Sequence, residues 1–380
     1  MRPTGRAYHV ISGDSHVVEP PDLWTRWLER KHHDQAPRLA KDDQGGDAWL
    51  LPGAAAPGPI GLVCVVGQRP EQMRWPGMRY GHDIDPSCHD GKARLKALDV
   101  DGVDAEIEYP TIAMRLIAQC TGKIPLDVEE ACIRAYNRWL IEEFCAPDPA
   151  RLIALPVIPP KIGVERSVAE LGDAVKKGCR GVILTSWPTG GDTLSRADDA
   201  FWAAAQEARV PVSIHISLAG RASRGPQPMA AEAQWAVGAD TFSGLPPIMT
   251  ELMFTGTFDR FPALKVLAVE TGAGWIPFFL EMLDDRYWRN RVWGKSSLKK
   301  IPSQYWRDHW LATFIVDRIG VQVRHAVGID NLAWSTDFPH HGNDWPFSRR
   351  TIEEHFTDVP AEEREKIVCT NAARLYGLIA

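Results

Sequence analysis

Residues 331–346 read NLAWSTDFPHHGNDWP. A short apolar run, Leu332 to Trp334, leads to Asp337 and is followed at once by proline, two adjacent histidines, glycine and asparagine. Pro and Gly-Asn end a ladder, so 331–337 reads as a strand whose last residue is a carboxylate with two imidazoles behind it. The fold turns on whether such a strand recurs. Seven other segments have the same character: YHVISGD (8–14), VDAEIEYP (103–110), RLIALPVIP (151–159), CRGVILT (179–185), PVSIHIS (211–217), LKVLAVE (264–270) and WLATFIV (310–316). Near-continuous apolar runs, rather than alternation, are what parallel strands covered on both faces require.

Between these runs lie segments with helical spacing. In 126–144, Val128, Cys132, Ala135, Trp139 and Ile141 fall on one side and the acids mostly on the other. Similar patterns occupy 163–177, 198–209, 247–260, 275–289 and 361–376. Eight strands alternating with helices in a chain of 380 residues predict an α/β fold, a (β/α)8 TIM barrel, with a doubly wound sheet as the alternative architecture. Residues 32–90 break the alternation. Rich in Gly, Pro, Asp and His, they read as an insertion after the first strand, with a hairpin around DAWLLPG and IGLVCVV. The chain is therefore expected to be one domain, 1–380, with 32–90 on the active-site face, where loops after barrel strands lie.

Composition narrows the function. A hydrophobic share of 44% and a charged share of 24% suit a globular enzyme with a large core. The net charge is −6, and no stretch concentrates Lys or Arg, so a nucleic-acid partner is not expected. Seven cysteines form no CxxC pair, which points away from a zinc ribbon or a disulfide framework and towards a reducing cytoplasm. No apolar run approaches the roughly 20 residues of a membrane span, and the N-terminus lacks a signal-peptide core.

The ends of the strands carry the chemistry. The first ends GDSHVVEP, offering Asp14, His16 and Glu19; the fifth carries His215; the sixth ends in Glu270; the eighth ends in Asp337. Barrel strands converge at these ends. Asp14 and His16, two apart, share one face of a strand. Imidazole with carboxylate is a ligand mix for zinc, manganese or iron(II), with positions left open for water or substrate. A single strand histidine is by default a core residue, and Asp14 by default an Asx-turn former. Their company at matching strand ends assigns them to the site. Trp187, Trp275 and Trp345 each follow a strand end and are placed at the pocket mouth, where aromatic rings suit a flat substrate. Trp139 and Trp202 have helix spacing and belong to the core.

The stretches GDSHVVEPPDLW, DVDGVDAEIEYP, YNRWLIEEFCAPDPARLIALPVIPP, VPVSIH, VLAVETGAGWIPFFLEMLD and WSTDFPHHGNDWP resemble the amidohydrolase-related branch of the amidohydrolase superfamily. That branch includes aminocarboxymuconate-semialdehyde decarboxylase and γ-resorcylate decarboxylase. The resemblance implies a TIM barrel with a metal held by two first-strand residues, a fifth-strand histidine and an eighth-strand aspartate, here Asp14, His16, His215 and Asp337. It also implies homodimers or larger assemblies. The sequence departs from the pattern in three places. Asp14 stands where the branch more often has His or Glu. Glu270 stands where its decarboxylases have histidine. The fourth strand ends LTSWP with no lysine, so the bridge of binuclear members cannot form and one ion is expected.

The first expectation is a metal-dependent hydrolase of a small cyclic or aromatic compound. Asp337, Glu270 and His215 would be catalytic, and Glu19, Trp187, Trp275, His340 and Trp345 would face the substrate. The alternatives are a non-oxidative decarboxylase of an aromatic acid and a metal-free relative using His16, His215, Glu270 and Asp337 directly.

Overall fold

The computed structural model describes residues 2–215 and 241–380. Residues 216 and 217 of the predicted fifth strand lie outside them. Strands β1 (Ile11–His16), β5 (Ala105–Tyr109) and β6 (Leu152–Ala154) pair in parallel, in the order β1-β5-β6. A second parallel run joins β7 (Val157–Ile158), β8 (Val182–Leu184), β9 (Val212–Ile214), β10 (Val266–Ala268), β11 (Trp310–Phe314) and β12 (Leu332–Trp334) in chain order.

Two junctions close the ring. At the first, the predicted strand 151–159 divides at Leu155-Pro156, because proline has no N–H to give the ladder. Asn137 repairs the gap: its side chain accepts the Val157 N–H and donates to the Val157 carbonyl, both at 2.8 Å. At the second, the Asp337 N–H bonds the Asp14 carbonyl at 3.0 Å, and the His16 N–H bonds Phe338 O at 2.6 Å. The result is an eight-stranded TIM barrel, with β6 and β7 as two halves of one staff.

Burial follows the expected pattern, with informative exceptions. Val128, Cys132, Ala135 and Trp139 of helix Leu126–Trp139 are buried, whereas Ile141 is only half-buried. Two acids of the same helix, Glu129 and Glu130, are also buried. Each has partners that a helical wheel does not show: Thr121 donates to Glu129, while Arg134 and Arg166 pair with Glu130. The segment 247–260 divides at Gly256, whose φ of +70° ends one helix before Thr257–Arg260 begins.

In the insertion, the hairpin partner differs from the expectation. β3 (Asp47–Leu50) pairs antiparallel with β2 (Arg38–Lys41) and with β4 (Gly58–Pro59), and Gly61–Val63 is a 3-10 turn. The apolar run IGLVCVV is buried by packing rather than by pairing. Val65 N–H donates to Pro339 O and His341 N–H to Leu62 O, both at 2.9 Å, which ties the insertion to the loop after β12.

Candidate metal centre

A register shift between Ser12 and Ser15 bends β1 as it reaches the barrel mouth. Such bulges re-aim side chains. Ser12 Oγ donates to the Asp14 carbonyl at 2.8 Å, and Ser15 and Thr336 complete a buried hydroxyl knot around the bend. Asp14 and His16 then point at the same space, with His16 Nε2 3.5 Å from Asp14 Oδ1. His215, directly after β9, brings Nε2 to 3.8 Å from Asp14 Oδ1 and 3.6 Å from Glu270 Oε2. Asp337 Oδ1 lies 3.5 Å from His16 Nε2 and 3.2 Å from His340 Nδ1. Glu270 and Asp337 are both in the left-handed region, with φ of +58° and +56°. Such a backbone costs on the order of 1 kcal/mol or more for a non-glycine residue, and it turns each carboxylate out of its strand direction.

The donor atoms form two overlapping groups. Asp14, His16, His215 and Glu270 lie within 4.8 Å of one another, and so do His16, Asp337 and His340. The four-donor group thus takes Glu270 where the sequence reading placed Asp337. Asp337 belongs to the neighbouring triplet.

These residues fit a divalent ion. A ligand distance of about 2.1 Å puts tetrahedral or octahedral donors roughly 3.0–3.4 Å apart, close to the separations above. Both oxygens of Asp14, Nε2 of His16 and Oδ1 of Asp337 are buried without a hydrogen-bond partner among the described residues. His16 Nδ1 lies 2.9 Å from the Pro110 carbonyl. That contact assigns the ring proton to Nδ1 and leaves the Nε2 lone pair facing the cluster.

Electrostatics agree with this fit. Burial holds His16 and His340 well below the ordinary histidine value, so both are neutral donors. Burial lowers His215, but Asp14 and Glu270 raise it further, for a net upward shift. Burial, and then Asp14 against the opposing pull of His215, takes Glu270 up to about 7. Burial, Glu270 and Asp14 push Asp337 well above its usual range. Carboxylates that burden one another in this way are relieved by a cation among them.

The remaining predicted site residues are distributed differently. His340 stacks on His16 at 4.0 Å and reaches Thr111 Oγ1 with Nε2 at 3.0 Å, so it belongs to the cluster itself. Glu19 does not face an opening: its carboxylate accepts the N–H groups of Ile112 and Ala113 at 2.7 and 2.9 Å and caps helix Ile112–Cys120. Trp187 is 4% exposed and packs edge-on against the core residue Trp202. Trp345 donates to Ala97 O at 3.0 Å, which ties it to helix Gly91–Asp101. Trp275 and Trp345 both keep half-buried rings, and that of Trp275 stacks with Phe242.

The sequence reading missed Arg94. Its buried guanidinium lies 2.7 Å from Glu106 and 3.3 Å from Glu108, and donates to His16 O at 2.6 Å and Ser87 O at 2.7 Å. The two acids alternating within the buried strand AEIEY were the available signal, because buried charges need a partner.

Comparison with known proteins places this architecture. The sequence profile of the family described as Amidohydrolase matches residues 74–378. The chain belongs to the amidohydrolase family. Within the relatives compared, γ-resorcylate decarboxylase of Polaromonas sp. strain JS666 is 27% identical over 315 residues, 75% of this chain and 86% of that protein. An amidohydrolase structure from Mycobacterium avium subsp. paratuberculosis K-10 superposes with a TM-score of 0.74 at 20% identity, covering 98% of this chain and 100% of that one. A dihydroxybenzoic acid decarboxylase from Polaromonas sp. JS666, crystallised with manganese and 2-nitroresorcinol, gives a TM-score of 0.62 at 17% identity, with 98% of each chain covered. These structural likenesses carry the barrel fold.

Proposed function

We propose that this amidohydrolase-family enzyme is a metal-dependent, non-oxidative decarboxylase of an aromatic acid. The likeness to γ-resorcylate decarboxylase over three quarters of the chain carries the choice of reaction. It favours decarboxylation over the hydrolysis first expected from the strand-end inventory. Asp14, His16, His215 and Glu270 would hold one divalent ion. When bound, the ion would polarise substrate oxygen and offset negative charge.

The chain's own groups supply the proton. Asp337, beside the four-donor group, is positioned to hand a proton to the ring carbon, and His340, with Nδ1 3.2 Å away, is positioned to relay a solvent proton back to it. As the bond between ring carbon and carboxylate breaks, CO2 leaves and the ring carbon takes the Asp337 proton. Glu270 becomes a ligand here, which answers the absence of the sixth-strand histidine. Trp275 and the insertion residues 62–65, bonded to the 339–341 loop, would wall the pocket. The single-domain organisation, 1–380 with 32–90 over the active-site face, belongs to this reading.

Exposed Phe278, Trp288 and Trp293, at 71%, 64% and 74%, support a homo-oligomer, since monomers rarely leave such apolar surface uncovered. The seven cysteines are buried free thiols, which supports a reducing cytoplasm. No helix of the described residues is long and apolar enough to cross a membrane.

The test is a panel of 2-hydroxy- and 2,6-dihydroxybenzoates offered to manganese-loaded protein in D2O and in ¹⁸O-labelled water. CO2 release with deuterium on the ring and no ¹⁸O in the phenolic product is expected. Solvent ¹⁸O in the ring product, or turnover without CO2, would overturn the reading.

A further inference from the structure

Helix Ile112–Cys120 begins directly after β5, so its first turn stands at the barrel mouth. Thr111, its N-cap, touches His340 at 3.0 Å. The Arg115 N–H bonds Thr111 O at 3.1 Å, which sets Arg115 one turn further along the same side of the helix. Helical side chains lean back towards the N-terminus, so Arg115 leans towards Thr111 and His340. The insertion meets it there. Arg115 Nη1 donates to Pro59 O at 3.0 Å, and the same insertion bonds the 339–341 loop through Leu62 and Val65.

The charge on Arg115 is not balanced. A guanidinium has five N–H donors, and the Pro59 carbonyl is the one acceptor that Arg115 has among the described residues. It forms no ion pair among them, although it is half-buried, whereas the fully buried Arg94 has two carboxylates. Glu19, the nearby acid, has both oxygens on backbone N–H groups. A sheltered guanidinium with free, forked donors matches a planar carboxylate and discriminates poorly for anything else.

We propose that Arg115 receives a second carboxylate of the substrate, one that stays on the ring, so that the preferred substrate is an aromatic dicarboxylic acid. This rests on the decarboxylase reading for the fate of the first carboxylate. Arg115 is not the receptor of the leaving group, because a guanidinium pair would stabilise that carboxylate in the ground state and oppose its loss. The metal-ligand cluster handles one end of the ring, and Arg115, beyond His340, handles the other.

Two unreactive probes separate these ideas: isophthalate, with two carboxylates, and benzoate, with one. Calorimetry on manganese-loaded wild-type protein should show isophthalate binding about 10- to 100-fold more tightly, the worth of one charge-assisted contact. Arg115→Gln should remove that preference while leaving benzoate affinity within about twofold, and Arg115→Lys should restore part of it. A merely structural role at Pro59 would weaken both probes together. Equal affinities in the wild type, or a preference that survives Arg115→Gln, would overturn the proposal. Should Arg115→Gln not fold, loss of the fork in Arg115→Lys must still reduce the preference, or the proposal fails. The parent reading is tested separately by CO2 release from 4-hydroxyisophthalate: no CO2 with the isophthalate preference intact supports Arg115 as the carboxylate receptor and removes only the decarboxylase.

Discussion

Replacing Arg94 with methionine should destabilise the protein in a pH-dependent way. The guanidinium is fully buried, and burial together with Glu106 pushes Glu108 well above the usual carboxylate range. Glu108 therefore favours its neutral form, and the negative charge of the pair faces Arg94. Methionine fills the volume of the stem but leaves that charge without a counter-ion, so the pair should take up a second proton. Keeping an ordinary glutamate, with a pKa of about 4.3, protonated at pH 7 costs roughly 4 kcal/mol, at about 1.4 kcal/mol per unit. In the variant the folded-state pKa lies above the unfolded one. The deficit is therefore absent below about pH 4.3, near 1 kcal/mol at pH 5, and roughly 4 kcal/mol at pH 7. Loss of donors to Ser87 O and His16 O adds a pH-independent cost of about 1–3 kcal/mol each. Urea unfolding midpoints at pH 5 and pH 7, at constant slope, measure the difference. Adding Glu106→Gln to the variant should flatten it. A deficit equal at the two pH values, or below about 1 kcal/mol at pH 7, would refute the triad argument.

Asp337→Asn removes the proposed proton donor and should lower CO2 release by about 10² to 10⁴, with substrate binding nearly unchanged; near-normal turnover would remove Asp337 from that role. Exhaustive chelation should abolish activity, and manganese should restore it at one equivalent per chain by elemental analysis. Full activity without metal would favour the metal-free alternative, and two ions per chain would contradict the single site. Burial raises Glu19 to about 7 despite its two backbone donors, so its contribution to stability is present below about pH 4.5 and is lost as pH rises towards 7. Thermal melts of Glu19→Gln should therefore gain on wild type across that window and run parallel above it; a gap that does not change with pH would disprove the raised value.

All eight barrel strands could be read in the sequence, because burial on both faces writes each one as a local apolar run. The acids and imidazoles at their ends were equally visible. What no local pattern contained was distance. Asp14 and Asp337 meet only because β1 and β12 close the ring, and Glu270 enters the four-donor group while Asp337 moves to the His340 side because each backbone turns through a positive φ. The hairpin was assigned the wrong partner because an apolar segment buried by packing looks like one buried by pairing. Glu19 and Trp187 were placed at the mouth by their position after a strand, yet a helix N-terminus claimed one and a neighbouring tryptophan the other. Arg94 and Arg115 differ in the same way. Both are arginines on helices near the mouth, and only the folded chain decides that two buried carboxylates neutralise the first while none of the described residues pairs with the second. Secondary structure follows from neighbours in sequence, whereas charge balance follows from neighbours in space.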